Sequence, residues 1–289
     1  MCYNGRTSRL FTASADRTIK VWDAASIESL KVVAALTDNV LGLYSIISSS
    51  TGSFLVSGGN DQLIKVWNLH RFECVKTLVG HYGTVMCVHC SRDETLLLSA
   101  GGADFAVKLW DLDSGECVRT YVGHTHTVSY VVFTEEETRL VSSGWDKTVR
   151  VWDVESGTEL NLYRAHSSWV NAVICQHGKI YSASSDNSIK IWDYGENRCV
   201  CAQHTDYVTC LCGPADFSVV ISGSWDSSIK VWDARKLELL CTCTGHTNKV
   251  NAICCNPRGT VIVSGSDDET IRVWDIAGSN GYCNLVIEK

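Results

Sequence analysis

Three residue types that can build an activated nucleophile recur together along this chain. His124, Ser142 and Asp146 share one stretch, and similar groupings stand at His166, Ser182 and Asp186, at His204, Ser222 and Asp226, and at His246, Ser264 and Asp268. A serine that passes its proton to a histidine held by an aspartate is the core of many hydrolases. An enzyme needs one such centre, whereas repetition is what a self-satisfying buried polar set would show. No catalytic residue is assigned from these groups. The fifteen cysteines include the pairs Cys199/Cys201, Cys210/Cys212 and Cys241/Cys243. In a strand that spacing places both thiols on one face, and zinc sites use wider spacings. Their counterparts elsewhere are apolar or aromatic residues, so they read as small hydrophobes, with no metal or cofactor implied.

The elements that carry these residues follow from a repeat. Tryptophan recurs in one frame at Trp22, Trp67, Trp110, Trp152, Trp192, Trp232 and Trp274, at intervals of 45, 43, 42, 40, 40 and 42 residues. An aspartate stands six residues before each, at Asp16, Asp61, Asp104, Asp146, Asp186, Asp226 and Asp268, and five repeats carry a histidine, at His81, His124, His166, His204 and His246. Runs such as TVSYVVF, RLVSSG and TVRVWD alternate with period two between polar turns. Each unit therefore reads as about four short antiparallel strands without a helix. One such sheet cannot bury both faces alone, and stacking the sheets around an axis buries them against one another.

At 289 residues, with 45% apolar and 20% charged residues and two prolines, the chain has the composition of an ordered protein with a large core. The net charge of −7 is dispersed, no basic patch suits nucleic acid, and no apolar run suits a membrane span. The opening MCYNGRTSRLF lacks the form of a secretory signal. The reading expects an intracellular protein, cytoplasmic or nuclear, with reduced thiols.

With histidine, aspartate and Trp-Asp at these spacings, the chain resembles the WD-repeat (WD40) family of β-propellers. The resemblance implies one seven-bladed, all-β propeller over residues 1–289, with repeats ending near 23, 68, 111, 153, 193, 233 and 275. Each repeat would supply strand d of one blade and strands a, b and c of the next. It also implies a buried hydrogen-bonded set in each blade, joining the histidine, a strand-b hydroxyl, the turn aspartate and the strand-c tryptophan. The hydroxyls would be Thr12, Ser57, Ser142, Ser182, Ser222 and Ser264, and an extra residue in the GGAD turn would bring Ser99 into the third repeat's slot.

The copies depart from the pattern in places. Aligning Val40 with Val85 puts Leu36 in the second repeat's histidine slot and makes SSSTGS the longest turn between strands a and b. Aligning Asp16 with Asp146 leaves only Met1 to Tyr3 for strand a of the first blade, so most of that innermost strand would be missing. Either that blade is three-stranded or the sequence is a fragment of a longer chain.

By resemblance, partners bind the top face, through the residues three and five after the histidine and the one before the turn aspartate. The slots are Asn39, Leu41 and Asn60; Thr84, Met86 and Ala103; Thr127, Ser129 and Trp145; Trp169, Asn171 and Ser185; Tyr207, Thr209 and Trp225; and Lys249, Asn251 and Asp267. Trp145, Trp169 and Trp225 are the three of ten tryptophans outside strand c, and with Tyr207 they form a candidate contact patch for another protein. Met86, Lys249 and Asp267 extend it. No arginine fills a top slot, so the clamp that a phosphopeptide needs is missing, and a mostly apolar peptide or loop with a basic or acidic anchor near Lys249 or Asp267 fits better.

The leading expectation is a non-enzymatic interaction scaffold, a monomeric propeller working within a multiprotein complex. A second reading is a substrate receptor of a cullin-RING ubiquitin ligase. Residues 220–235, VISGSWDSSIKVWDAR, resemble the docking box of such receptors, with Asp226, Trp232, Asp233 and Arg235 in the matching slots. A third makes this the propeller module of a larger enzyme or signalling protein.

Overall fold

The computed structural model describes residues 1–24, 31–37, 41–164, 166–193, 196–276 and 282–288. Among them the regular structure is entirely β: 28 strands form seven four-stranded sheets, each in chain order a-b-c-d and antiparallel throughout. The sheets fall into two compact units. The first, Met1–Asp23 with Lys31–Ala165, holds sheets 1 to 4, and sheets 5 to 7 belong to the second, which runs from His166 onward.

Position within a sheet dictates what a strand can be made of. Strand b of the fourth sheet, Arg139–Gly144, is buried at every position after the first. Both of its faces meet protein, so it ends in the small residues Ser142, Ser143 and Gly144. Strand d of the third sheet, Cys117–Val122, is exposed at four of six positions and buries Tyr121 alone. Within each unit apolar clusters lie between consecutive sheets, and four strand-c tryptophans pack on the sheet before their own. Trp67 joins Phe11, Ile19 and Val21; Trp110 joins Val56 and Ile64; Trp152 joins Leu98, Val107 and Tyr121; Trp274 joins Ile221, Ile229 and Val231. A ring of that size, fully enclosed, contributes about 3–5 kcal/mol against alanine.

One register irregularity recurs and fixes where side chains point. In sheets 2 to 7, the second residue of strand a bulges out of the pairing with strand b, as between Val128↔Gly144 and Tyr130↔Ser143. The bulged residues are Tyr44, Met86, Ser129, Asn171, Thr209 and Asn251. A bulge of this kind re-aims one side chain without moving the rest of the strand.

The register corrects the reading of the second repeat. Leu43 pairs with Gly59 as Val85 pairs with Gly101, so the counterpart of Val85 is Leu43 and not Val40. The histidine slot then falls on position 39, outside the described residues. Leu36, 2% exposed, is a core residue of strand d, paired with Ile19 as Leu78 is with Ile64. The top slots move to Gly42 and Tyr44, in place of Asn39, which is not described, and Leu41. Residues 49–53 form a five-residue turn, as residues 91–95 do, and 213–218 is longer. The additional residues belong to the stretch 24–30, between Asp23 at the end of strand c and Lys31 at the start of strand d.

The first sheet is four-stranded, with a strand a of three residues, Cys2–Asn4, paired as Cys2↔Phe11, Tyr3↔Leu10 and Asn4↔Arg9. Asn4 anchors it: its Nδ2 donates to Ser49 O at 2.7 Å, and its Oδ1 accepts the N–H groups of Arg6 and Thr7 at 3.0 Å each.

Candidate protein-interaction site

The polar set is assembled in five blades. In the fourth, Trp152 Nε1–H donates to Ser142 Oγ at 2.8 Å, Ser142 Oγ lies 2.8 Å from His124 Nε2, and His124 Nδ1 lies 2.8 Å from Asp146 Oδ2. The roles follow from chemistry. A carboxylate only accepts, so Nδ1 carries the proton that faces Asp146, and Nε2 meets the serine hydroxyl. His81, His166, His204 and His246 repeat this with Asp104, Asp186, Asp226 and Asp268 at 2.6–2.8 Å. Burial opposes the charge on Asp146, but hydrogen bonds from His124, Thr148 and the Thr125 N–H outweigh it and hold the carboxyl well below its ordinary range. Each strand-b serine is fully buried and engaged on both sides, so its oxygen has no path to a substrate.

In the third blade the serine is Ser99, 2.6 Å from His81 Nε2 and 2.7 Å from Trp110 Nε1. The insertion is accommodated in the turn: Gly102 N–H donates to Thr84 O at 2.8 Å, as Trp145 N–H does to Thr127 O at 2.9 Å. Gly102, and not Ala103, is therefore the counterpart of Trp145, and Ala103 is the extra residue. In the second blade Trp67 still donates to Ser57 at 2.8 Å, but Asp61 Oδ2 is buried and has no hydrogen-bond partner among the described residues. The first blade keeps the Trp22–Thr12 bond at 2.9 Å, and Asp16 accepts from the N–H and hydroxyl of Thr18.

That turn bond defines the top slots in every blade from the second on. Ser185 N–H donates to Trp169 O, Trp225 N–H to Tyr207 O, Asp267 N–H to Lys249 O, and Asn60 N–H to Gly42 O, at 2.8–3.0 Å. Trp169, Tyr207 and Lys249 thus hold one structural position in blades 5, 6 and 7. In that unit Trp169 is 44% and Tyr207 38% exposed, and the Tyr207 and Trp225 rings lie 4.8 Å apart between centroids. Lys249 Nζ lies 3.6 Å from the centroid of Trp225.

The bulged slots serve the fold in this unit. Asn171 Nδ2 donates to Val208 O at 2.8 Å and Thr209 Oγ1 to Val250 O at 2.6 Å, tying each blade to the next, while Asn251 Nδ2 donates to Asp267 Oδ1 at 2.5 Å. In the first unit Ser129 and Thr127 are buried, Met86 is half-buried, and Trp145 is half-buried with its ring 5.7 Å from His126, which lies 5.7 Å from Phe105. His126 and Phe105 were not signalled by the slot pattern, because neither occupies a slot.

The WD domain, G-beta repeat, profile matches this chain seven times, over residues 1–23, 30–68, 72–111, 115–153, 157–193, 195–233 and 237–275. The chain belongs to the WD40 family. Its fold class is accordingly the seven-bladed, all-β propeller, one blade for each four-stranded sheet. Among curated proteins, this WD40 chain is similar to the nuclear distribution protein nudF of Emericella nidulans, 34% identical over 80 residues, which are 28% of the chain and 18% of the relative. It is similar to the pre-mRNA-splicing factor PRP46 of Candida albicans, 43% identical over 60 residues, 21% of the chain and 15% of that protein. It is also similar to the mouse cilia- and flagella-associated protein 52, 30% identical over 102 residues, 34% of the chain and 16% of the relative. The chain thus spans less than a fifth of the length of each of these relatives.

Two other sequence features find their places in this WD40 chain. Of the ligase-box residues, Asp226 and Trp232 are engaged in the blade's own network, with His204 and Ser222. Asp233 accepts the N–H groups of Arg235 and Lys236 at 2.9 Å, closing the turn after strand c, and Arg235 is exposed. Cys210, Cys212, Cys241 and Cys243 all pack in or against the cluster around Ile253 and Trp274, and burial pushes the Cys210 thiol up to about 11. The Cys199 and Cys201 side chains lie outside the described residues.

Proposed function

We propose that this WD40 protein is a non-enzymatic scaffold that holds a peptide or loop of another protein against the top ends of blades 5 to 7, with Trp169, Tyr207 and Trp225 as anchors. WD40 propellers generally serve as protein-interaction scaffolds. The observation that carries the proposal is the exposure of Trp169 and Tyr207 at one repeated slot, with Trp225 beside Tyr207. Aromatic rings exposed on rigid turns bury large area at small entropic cost, as interface hot spots do. Ser99, Ser142, Ser182, Ser222 and Ser264, each fully buried and hydrogen-bonded, support the non-enzymatic part.

The test compares proteins captured by the wild-type chain with those captured by a Trp169→Ala, Trp225→Ala variant, each candidate then being reconstituted from purified components. The proposal expects at least one direct partner to be lost from a variant whose melting temperature is unchanged. Identical capture by both would refute it.

A further inference from the structure

The aromatic row of blades 5 and 6 continues into a cation in blade 7. Lys249 occupies there the slot of Trp169 and Tyr207, and its ammonium rests on the Trp225 ring, 3.6 Å from the centroid. It is half-buried and, among the described residues, forms no ion pair. Two carboxylates belong to the same loops, and each is engaged locally: Asp206 Oδ1 accepts the Tyr207 N–H at 2.7 Å, and Asp267 Oδ1 accepts Asn251 Nδ2 at 2.5 Å. The ring face thus positions a cation with which no described carboxylate forms an ion pair, while Asp206 and Asp267 keep their charge on neutral donors in the same loops. An ammonium has three donors, and an aromatic face engages only one side of it.

We infer that this patch takes an acidic peptide or loop, in which one Asp or Glu carboxylate accepts from Lys249 Nζ while a neighbouring apolar or aromatic side chain packs on Tyr207, Trp225 and Trp169. The inference rests on the top-face reading above and adds the partner's chemistry to it. A lysine is a point charge suited to one carboxylate, whereas a phosphate group favours the bidentate fork of arginine, which no top slot provides. A basic partner would set its own cation against Lys249. The net charge of −7 opposes an acidic partner at long range, so the attraction acts at contact, within a Debye length of about 8 Å at physiological salt.

Short random peptides displayed on phage, selected on the 289-residue chain and counter-selected on the Trp169→Ala, Trp225→Ala variant, supply the probe. The expected binders carry Asp or Glu within a few residues of a Leu, Phe or Trp. A synthetic binder should lose about tenfold in affinity on Lys249→Met, and as much when its own acid is changed to the amide, with the two losses failing to add. Methionine keeps an unbranched chain against the Trp225 ring, and the peptide-side change tests the contact on the unaltered protein. Binders that need Trp169 and Trp225 but are basic or uncharged, or that bind the Lys249→Met variant as tightly, overturn the acidic partner and leave the aromatic anchors standing. Finding no peptide that depends on Trp169 and Trp225 overturns both.

Discussion

Trp225 donates its backbone N–H to the carbonyl of Tyr207 at 2.9 Å while the two rings lie 4.8 Å apart. The same turn bond that closes every blade from the second on therefore also holds two aromatic side chains side by side. Rigid backbone and exposed ring are set by one local geometry, so substituting either ring for alanine should leave the blade intact. Each substitution is expected to weaken partner binding by about 2 kcal/mol or more while shifting the urea midpoint little, because truncating a hot-spot aromatic removes contact and not structure. Calorimetric titration beside urea denaturation measures both.

The polar set differs between blades, and stability should register the difference. Asp146→Asn replaces the carboxylate that faces His124, Thr125 and Thr148, and is expected to cost about 1–3 kcal/mol. Asp61→Asn keeps an acceptor for the Leu63 N–H at 3.2 Å and exchanges an Oδ2 that has no partner among the described residues. Its expected cost is below about 0.5 kcal/mol. Equal losses in urea denaturation would show that the second blade is tied as firmly as the fourth.

Much of this was legible in the residues. The tryptophans and turn aspartates mark strand c and the turn before it, because they recur in every copy and in five of them serve the same network. The substitution of Ser99 for Ala100 could be counted from one extra residue. The second repeat misled because VLGLYS offers apolar residues at positions 40, 41 and 43, and alternation alone fits more than one register. Only the pairing of Leu43 with Gly59 decides between them. The bulge was likewise invisible: it assigns Asn171 and Thr209 to bonds between blades, which no spacing within one repeat encodes.

The extra residue of the third blade is matched by a glycine. A Cβ on Gly83, whose φ is +139°, would sit 2.7 Å from Ala103 Cβ and 2.8 Å from Ala103 N. The counterparts in blades 4 to 7 are His126, Ser168, Asp206 and Asn248, in blades without the insertion. Gly83→Ala should destabilise by about 1–3 kcal/mol, and by clearly less in a chain from which Ala103 is deleted. Additive losses in thermal denaturation would separate the two positions.

Acid should destabilise the protein in two stages. Burial pushes His89 down to about 4, beside Phe133, whose N–H lies 3.4 Å from its Nδ1. The unfolded chain takes up that proton below about 6.5 and the folded one does not, so stability falls as pH drops from about 6.5 to 4. His246, also lowered by burial, adds to the same slope. Below about 4 the aspartates of the polar set resist protonation only in the fold, and their contribution is lost next. His89→Gln, which retains an acceptor, should flatten the upper stage in urea midpoints measured across this range, and an unaltered slope would contradict the assignment.

Blades 5 to 7 are proposed to meet a partner through the exposed aromatic row. Oxidative labelling of the reconstituted complex, read residue by residue in a mass spectrometer, tests this most directly. Trp169 and Tyr207 should be labelled at least about fivefold more slowly in the complex than in the free chain. Val118 and Leu240, exposed at 55% on outer strands, should label at the same rate in both. Equal labelling of Trp169 and Tyr207 with and without the partner would contradict the account.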